Sequence, residues 1–369
     1  MTERHFRLLV VRLGAMGDIL HALPAVTALR QAHPDWVIDW LVEPRWRALL
    51  ATEAATAQSN RSSAQPLIDH LHFAATKLWR KAPFSRQTRT EFQALCSSFR
   101  NARYDAVIDL QGAIRSALLA RLAARLSGCK RIIGEAEPRE RAAHWLFTER
   151  VGTQGAHVIE QDVELVSAIA PDALNPDALK PVQPWLPVDA TAEAWADAIL
   201  PPAATSPAVL INPGAGWGAK RWPAERYAEV ARGLIAQGCR VLANAGPGEE
   251  ALAQQIVEGT QGAARSLSCS LAQLIAITRR MALVVAGDTG PLHLACALRV
   301  PVVGIYGPTD PSRNGPYGTR FTVLRSPLSR RDHSRYEAPE AGLLTINSDE
   351  VLRAAGALLY PVRAPEDNR

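Results

Sequence analysis

Long apolar runs are absent from this chain. No stretch of about 18 hydrophobic residues occurs, so a membrane-crossing helix is not expected. Cysteine is sparse and odd in number, with five residues and no Cys-x-x-Cys. That excludes a disulfide framework and points to a reducing cytoplasm. No His pair is read as having metal-ligand spacing, and Asp-x-Asp occurs nowhere. The latter argues against a transferase that grips its nucleotide through a divalent metal. No Walker loop is present, and neither Gly14-Ala15-Met16-Gly17 nor Gly214-Ala215-Gly216-Trp217-Gly218 spells the dinucleotide fingerprint. Asp39 does lie at roughly the distance where that fingerprint wants its acidic residue, so spacing alone does not dismiss a nicotinamide enzyme. The opening residues, Met1 to Arg7, lead directly into a strand pattern and show no signal-peptide core.

What is present describes a globular enzyme. At 369 residues the chain exceeds one compact core, and about two domains are expected. It is 47% hydrophobic and 21% charged, which excludes disorder. A net charge of +5 and a pI near 9.1 favour anionic partners without choosing among nucleotide, nucleic acid and membrane.

The chain reads as two halves. In the first, the apolar run Phe6–Leu13 ends in Gly14-Ala15-Met16-Gly17-Asp18, and an amphipathic stretch follows. Pro24 requires that helix either to kink or to start just before it. Trp36–Val42, Leu67–Phe73 and Ala106–Leu110 are strand candidates, and Arg115–Leu126 is helical. Residues 171–207 hold eight prolines in 37 positions, and the domain junction is expected there. The alternation then restarts with Val209–Asn212, the loop through Lys220, and a helix between Pro223 and Gly238. Arg240–Ala243, the 246–250 turn into a helix, and the Ser270–Arg280 helix follow. Asn347–Leu359 is a closing helix capped by Asn347 or Ser348. Expected boundaries are 1–175 for the first domain, 176–207 for the linker, 208–345 for the second domain and 346–369 for a closing helix and tail. The fold class is α/β: two Rossmann-like doubly wound domains facing across a cleft that receives ligands.

The most informative block is 283–311. The short strand Leu283–Ala286 stops at Gly287, Asp288-Thr289-Gly290-Pro291 opens a small-residue helix, and Pro301–Tyr306 is another buried strand. A helix N-terminus beside a strand end aims free amides at an anion, and phosphate suits it. Thr289 adds a hydroxyl, Gly290 permits close approach, and His293 lies one turn on. An ordinary helix cap by Asp288 and Thr289 is the competing reading.

Several segments together resemble a known family. They are Val11–His21 with Leu23-Pro24-Ala25, Asp109-Leu110-Gln111-Gly112, Asn212-Pro213-Gly214, Lys220-Arg221-Trp222-Pro223, Gly287–His293 and Gly307–Pro311. In order and rough spacing they are similar to glycosyltransferase family 9, the lipopolysaccharide heptosyltransferases, from about residue 6 to 360. Trp79-Arg80-Lys81, Asp109–Ser116 and Gly307–Gly318 look most like the members that add the first heptose to Kdo on lipid A. The resemblance implies a GT-B fold, ADP-heptose as substrate, inversion at the anomeric carbon, and neither metal nor cofactor. It also implies a cytoplasmic protein resting on the inner membrane of a Gram-negative cell, with no nucleic-acid partner.

The resemblance makes Asp18 the general base, whereas the residue by itself reads as a helix cap. Lys220 is placed to neutralise the β-phosphate, with Thr289 and Gly290 amides beside it; an ordinary surface lysine is the competing reading. Asp288 would repel phosphate and is assigned to sugar hydroxyls or loop hydrogen bonds. Glu250 can accept from both ribose hydroxyls, or be a first-turn helix charge. His293 is either a ligand contact or a satisfied helix histidine. Ala215 and Gly216 stand where other members carry hydroxyl residues, which leaves that loop its backbone amides. On the acceptor side, residues 76–103 hold seven Lys/Arg against Glu91 alone. Lys77, Arg80 and Lys81, with Gly17, Gln111 and Arg115, are the candidate contacts to Kdo carboxylates, lipid A phosphates and an anionic membrane; a solvated face is the alternative for the run. Rival functions are transfer of the second heptose or another family 9 transfer, a GT-B nucleotide-sugar epimerase, and a non-catalytic two-lobed binding protein.

Overall fold

Alternating β and α segments build two units, Met1–Asp189 and Ala190–Arg369. The structure, a computed structural model, describes residues 5–55, 61–169, 182–202, 205–332 and 336–361.

The first unit opens with β1 (Arg7–Val11), α1 (Met16–Ala32), β2 (Val37–Val42) and β3 (His70–Phe73). Then come α2 (Thr76–Lys81), α3 (Arg86–Ala102), β4 (Ala106–Asp109) and α4 (Ile114–Ser127). It closes with β5 (Ile132–Glu135), β6 (Glu149–Val151) and α5 (Val158–Ser167). Its strands lie in the order β3-β2-β1-β4-β5-β6, and every pairing is parallel. Apolar side chains of β1, β4, α3 and α4 (Leu9, Val11, Val107, Phe99, Ala117, Ala120) fill one face of the sheet.

The second unit comprises α6 (Ala190–Ile199), β7 (Ala208–Asn212), α7 (Ala224–Ala236), β8 (Arg240–Ala245), α8 (Glu250–Gly259) and β9 (Arg265–Ser268). It continues with α9 (Leu271–Thr278), β10 (Leu283–Gly287), α10 (Gly290–Ala297), β11 (Val302–Tyr306), α11 (Pro311–Asn314), β12 (Phe321–Arg325) and α12 (Ser348–Leu359). The strand order β12-β11-β10-β7-β8-β9, again all parallel, is the same winding as in the first unit. Each chain path starts in the middle of its sheet, runs outward, then returns to the middle and runs the other way. The reversal falls between β1 and β4 in one unit and between β7 and β10 in the other. Strand C-termini at that switch are where such sheets hold ligands.

The fold bears on three expectations. Pro24 lies inside α1, which begins eight residues earlier, so of the two alternatives the start just before the proline is ruled out. Most of α1 is buried, and α5 packs along it, so tertiary burial outweighs the missing donor. Part of the expected linker is the helix α6, because residues 188–200 contain no proline and are rich in alanine. Arg279 and Arg280 bind Glu193, and Arg280 also binds Asp197 (2.7 Å), which ties α6 to α9. The expected linker residues 176–181 and 203–204, and the tail from 362, lie outside the described residues. The expected closing helix is α12, capped by the Asn347 side chain, and its Val351 and Ala355 are buried in the core of the second unit.

Candidate active site

At the switch point of the first unit, the loop after β1 carries Gly14 to Asp18 and the loop after β4 carries Asp109 to Ser116. Asp18 is the third residue of α1, and its Oδ2 accepts from the Ala15 N–H (2.9 Å), a capping interaction. The other oxygen stays open beside solvent, with Arg12 Nη2 3.8 Å away, and the side chain is 37% exposed. Asp18 is therefore both a cap and an accessible carboxylate. Gly17 is half-buried next to it.

Arg12 is buried at the end of β1 and donates from Nε to the Asp18 carbonyl (3.1 Å). Asp109, fully buried, uses Oδ1 to accept from the Gln111 N–H (2.7 Å), the Gly112 N–H (3.0 Å) and Ser116 Oγ (3.1 Å). Gly112 takes φ +62, the left-handed turn that this wrap requires. Burial pushes the Asp109 carboxyl up to about 6, against the pull of its loop donors and Arg12. Gln111, an expected acceptor contact, turns its side-chain oxygen to the Leu13 N–H (2.8 Å) and so staples the two loops together. Arg115 is half-exposed and lies 3.8 Å from Glu43, which accepts from Thr76 Oγ1 (2.7 Å).

Lys77, Arg80 and Lys81 are exposed on α2, and Arg86 and Arg89 are exposed on α3. Their single acidic neighbour, Glu91, is engaged by the Trp79 indole (2.9 Å) and by Gln87 (2.8 Å). Asp39 settles the nicotinamide question. It lies mid-strand in β2, buried, and accepts from Tyr104 Oη (2.8 Å), with His70 Nδ1 at 2.8 Å and His72 Nε2 at 3.3 Å. Burial alone would raise its pKa, but the His70 and His72 contacts hold it well below the usual carboxylate range. A carboxylate so enclosed by its own fold is not offered to a ribose.

The switch point of the second unit is built from the loops after β7 and β10. The buried Trp222 anchors the first loop: its indole donates to Ile346 (3.1 Å) and its ring meets Tyr227 edge-on at 4.7 Å. Lys220 is thereby held 4.1 Å over the Trp217 ring and bonded to Asp288. His293, buried one turn into α10, puts Nε2 3.2 Å from the other Asp288 oxygen. Burial disfavours charge on Asp288, yet the contact with His293 and the Lys220 charge hold its pKa low. Sequence reasoning pointed Lys220 at phosphate; the structure commits it to Asp288 as well, so a diphosphate would have to share it. The Thr289 hydroxyl donates inward to the Gly287 carbonyl (3.2 Å), and Gly290 begins α10.

The expected ribose acceptor Glu250 is exposed and accepts from the Gly248 N–H (3.1 Å), the first-turn role. Its neighbour Glu249 is the carboxylate that reaches the 214–216 loop. The Glu249 carboxylate fills the space that a Cβ on Gly214 would take. Glu249 accepts from the Gly246 and Ala215 amides, and burial raises its pKa. One of the two amides expected to face the donor is thus already used, whereas Gly216 is exposed.

The family model described as glycosyltransferase family 9 (heptosyltransferase) matches residues 92–343. The chain belongs to glycosyltransferase family 9. This family 9 chain is 30% identical, over 95% of its length and 100% of the relative's, to lipopolysaccharide heptosyltransferase 1 of Escherichia coli K12. The corresponding protein of Salmonella typhimurium is 31% identical over 87% of this chain and 94% of its own. Among solved structures, the E. coli heptosyltransferase WaaC with ADP superposes with a TM-score of 0.74 at 27% identity, covering 96% of this chain and 100% of that one. The E. coli ADP-heptose heptosyltransferase II agrees in fold, with a TM-score of 0.72 at 22% identity over 96% and 98%. The glycosyltransferase therefore has the GT-B type of fold. Among its described residues no cluster of His, Cys, Asp and Glu is placed to hold a metal ion, and no helix is long and apolar enough to cross a membrane.

Arg12, Glu43, Asp109 and Glu249 were not singled out as site residues. For Arg12, Glu43 and Asp109 the available signal was a charged residue closing or following an apolar strand run. For Glu249 there was none, since adjacent glutamates are equivalent until the turn before α8 is built.

Proposed function

We propose that this transferase moves L-glycero-D-manno-heptose from ADP-heptose to the Kdo residue of Kdo-lipid A, with inversion at the anomeric carbon. The observation that carries this reading is the open oxygen of Asp18 at the switch point of the first sheet, in a chain 30% identical along its length to a lipopolysaccharide heptosyltransferase 1. In the reaction, the acceptor oxygen forms the new bond to the anomeric carbon while its proton passes to Asp18. The bond from that carbon to the β-phosphate oxygen breaks, and ADP leaves with the electron pair. The second unit binds the donor: Lys220 and the amide end of α10 face the diphosphate, and Asp288 and His293 hold Lys220 in place. The Gly214–Gly216 loop with Glu249, more than Glu250, suits the nucleoside side. The exposed cations of α2 and α3, with Arg115, suit the carboxylates and phosphates of the acceptor and the anionic inner-membrane surface on which a cytoplasmic enzyme would meet it. Neither a cofactor nor a metal is assigned a step.

Incubating the purified chain with ADP-heptose and Kdo-terminated lipid A tests the reading directly. Formation of heptosyl-Kdo-lipid A with release of ADP is the expected result. Transfer only when the acceptor already carries one heptose would instead favour addition of the second heptose.

A further inference from the structure

We propose that Arg12 is the positioning residue of the Asp18 carboxylate and that Asp109 is its buried counter-charge. The inference rests on the reading of Asp18 as general base and adds to it how that base is held.

Arg12 is 5% exposed, an unusual place for a guanidinium. Its backbone is fixed between strands: its N–H donates to the Leu41 carbonyl (3.3 Å), and its carbonyl accepts from the Trp40 indole (3.1 Å). The side chain then turns to a single residue. Nε donates to the Asp18 carbonyl at 3.1 Å, and Nη2 stands 3.8 Å from Asp18 Oδ1. The other carboxylate oxygen, Oδ2, is occupied by the Ala15 N–H. So Oδ1 is the oxygen left for an acceptor hydroxyl, and Arg12 governs where it points.

A buried cation demands negative charge nearby. Asp109 supplies it from the adjacent strand, where it is in register with Val11, the residue before Arg12. Its Oδ1 takes three donors from its own loop, whereas Oδ2 is buried with no hydrogen-bond partner. The charge of Arg12 acts on this carboxyl, pulling its pKa downward against burial. Gln111 couples the two loops mechanically through the Leu13 N–H. The other ionisable groups around this loop are Glu43, lying within ion-pair distance of Arg45 and Arg115, and His21, buried edge-on to His157 one turn along α1. Arg12 is the cation adjacent to Asp18.

The test compares Arg12→Gln and Arg12→Lys by transfer kinetics, with ADP-heptose and Kdo-terminated lipid A as substrates. In Arg12→Gln the guanidinium no longer aims Oδ1, so kcat should fall about 10-fold or more, with the KM for ADP-heptose within about two-fold of wild type. Arg12→Lys keeps the charge without the fork, so kcat should recover only in part. Wild-type kcat in Arg12→Gln overturns the proposal, as does full wild-type kcat in Arg12→Lys. If Arg12→Gln does not fold, the lysine variant alone decides. Asp18→Asn, run alongside, separates the two claims. Turnover surviving in that variant overturns the base assignment itself, whereas its loss with wild-type kcat in Arg12→Gln overturns the role of Arg12 only.

Discussion

The two units wind their strands in one order, yet they treat the charge at their switch points differently. In the second unit Asp288 is enclosed, its side chain 8% exposed, with Lys220 and His293 on its two oxygens. In the first unit Asp18 is 37% exposed, and its Oδ1 has only the Arg12 guanidinium, 3.8 Å away. A closed ion pair suits binding, because its geometry is set before the ligand arrives and costs nothing to reorganise. An open carboxylate suits proton transfer, because it must meet a hydroxyl that comes and goes. On the proposed reading the same scaffold serves opposite tasks, and the difference lies in how far each carboxylate is enclosed.

The largest effect should come from removing the open carboxylate. Asp18→Asn retains the cap through its side-chain oxygen but takes no proton at neutral pH. We expect kcat to fall by about 10²–10⁴ with the KM for ADP-heptose nearly unchanged, as initial-rate kinetics would show. Near-normal turnover would mean that the open group is no base, and the contrast between the units would lose its functional meaning.

Breaking the closed pair should act on stability and donor affinity together. Lys220→Ala strands a buried carboxylate, at a cost of about 3–5 kcal/mol, and thermal melts should register it. Adding Asp288→Asn should restore much of the melting temperature but not the affinity for ADP, measured by calorimetry. Recovery of both would deny Lys220 any contact with the diphosphate.

Asp109 sharpens the comparison by pH. Its carboxyl is raised from an ordinary 3.8 to about 6, so the folded state holds that proton more tightly than the unfolded chain. The stability it contributes is complete below about pH 4 and disappears as pH rises through 6, a change of roughly 3 kcal/mol. Urea unfolding across pH 4–8 should show this decline in the wild type, and Asp109→Asn should flatten it. A decline that persists in the variant would place the titrating group elsewhere.

The smallest effect is expected at the exposed cations. Arg80→Ala with Lys81→Ala should raise the KM for the lipid acceptor several-fold, leave that for ADP-heptose alone, and weaken the salt dependence of acceptor binding. Unchanged constants for both substrates would return the run on α2 to a solvated face.

Much of the fold was legible because buried parallel strands are short apolar runs with charged or glycine ends. Phe6–Leu13, Ala106–Leu110 and Leu283–Ala286 each match an observed strand to within two residues at either end. The strands β5, β6, β9 and β12 were not anticipated. Three of these are only three or four residues long, and the exposed positions of β6, β9 and β12 blur any apolar signature. Pro24 left two alternatives, and the helix start just before it is the one that does not occur. Its local cost is real, but a helix buried on most sides absorbs it.

The sequence by itself determined the repeated βα alternation, the glycine loops at the strand ends, the family and the placing of charge in those loops. These are local properties, carried by neighbouring residues and their periods. Only the tertiary structure decided which charges meet. Lys220 finds Asp288 across 68 positions, Gln111 finds the Leu13 amide across 98, and Glu249 rather than Glu250 enters the space over Gly214. Such partnerships depend on strand order and on which side of a turn a side chain leaves, and neither is encoded in the spacing of residues along the chain.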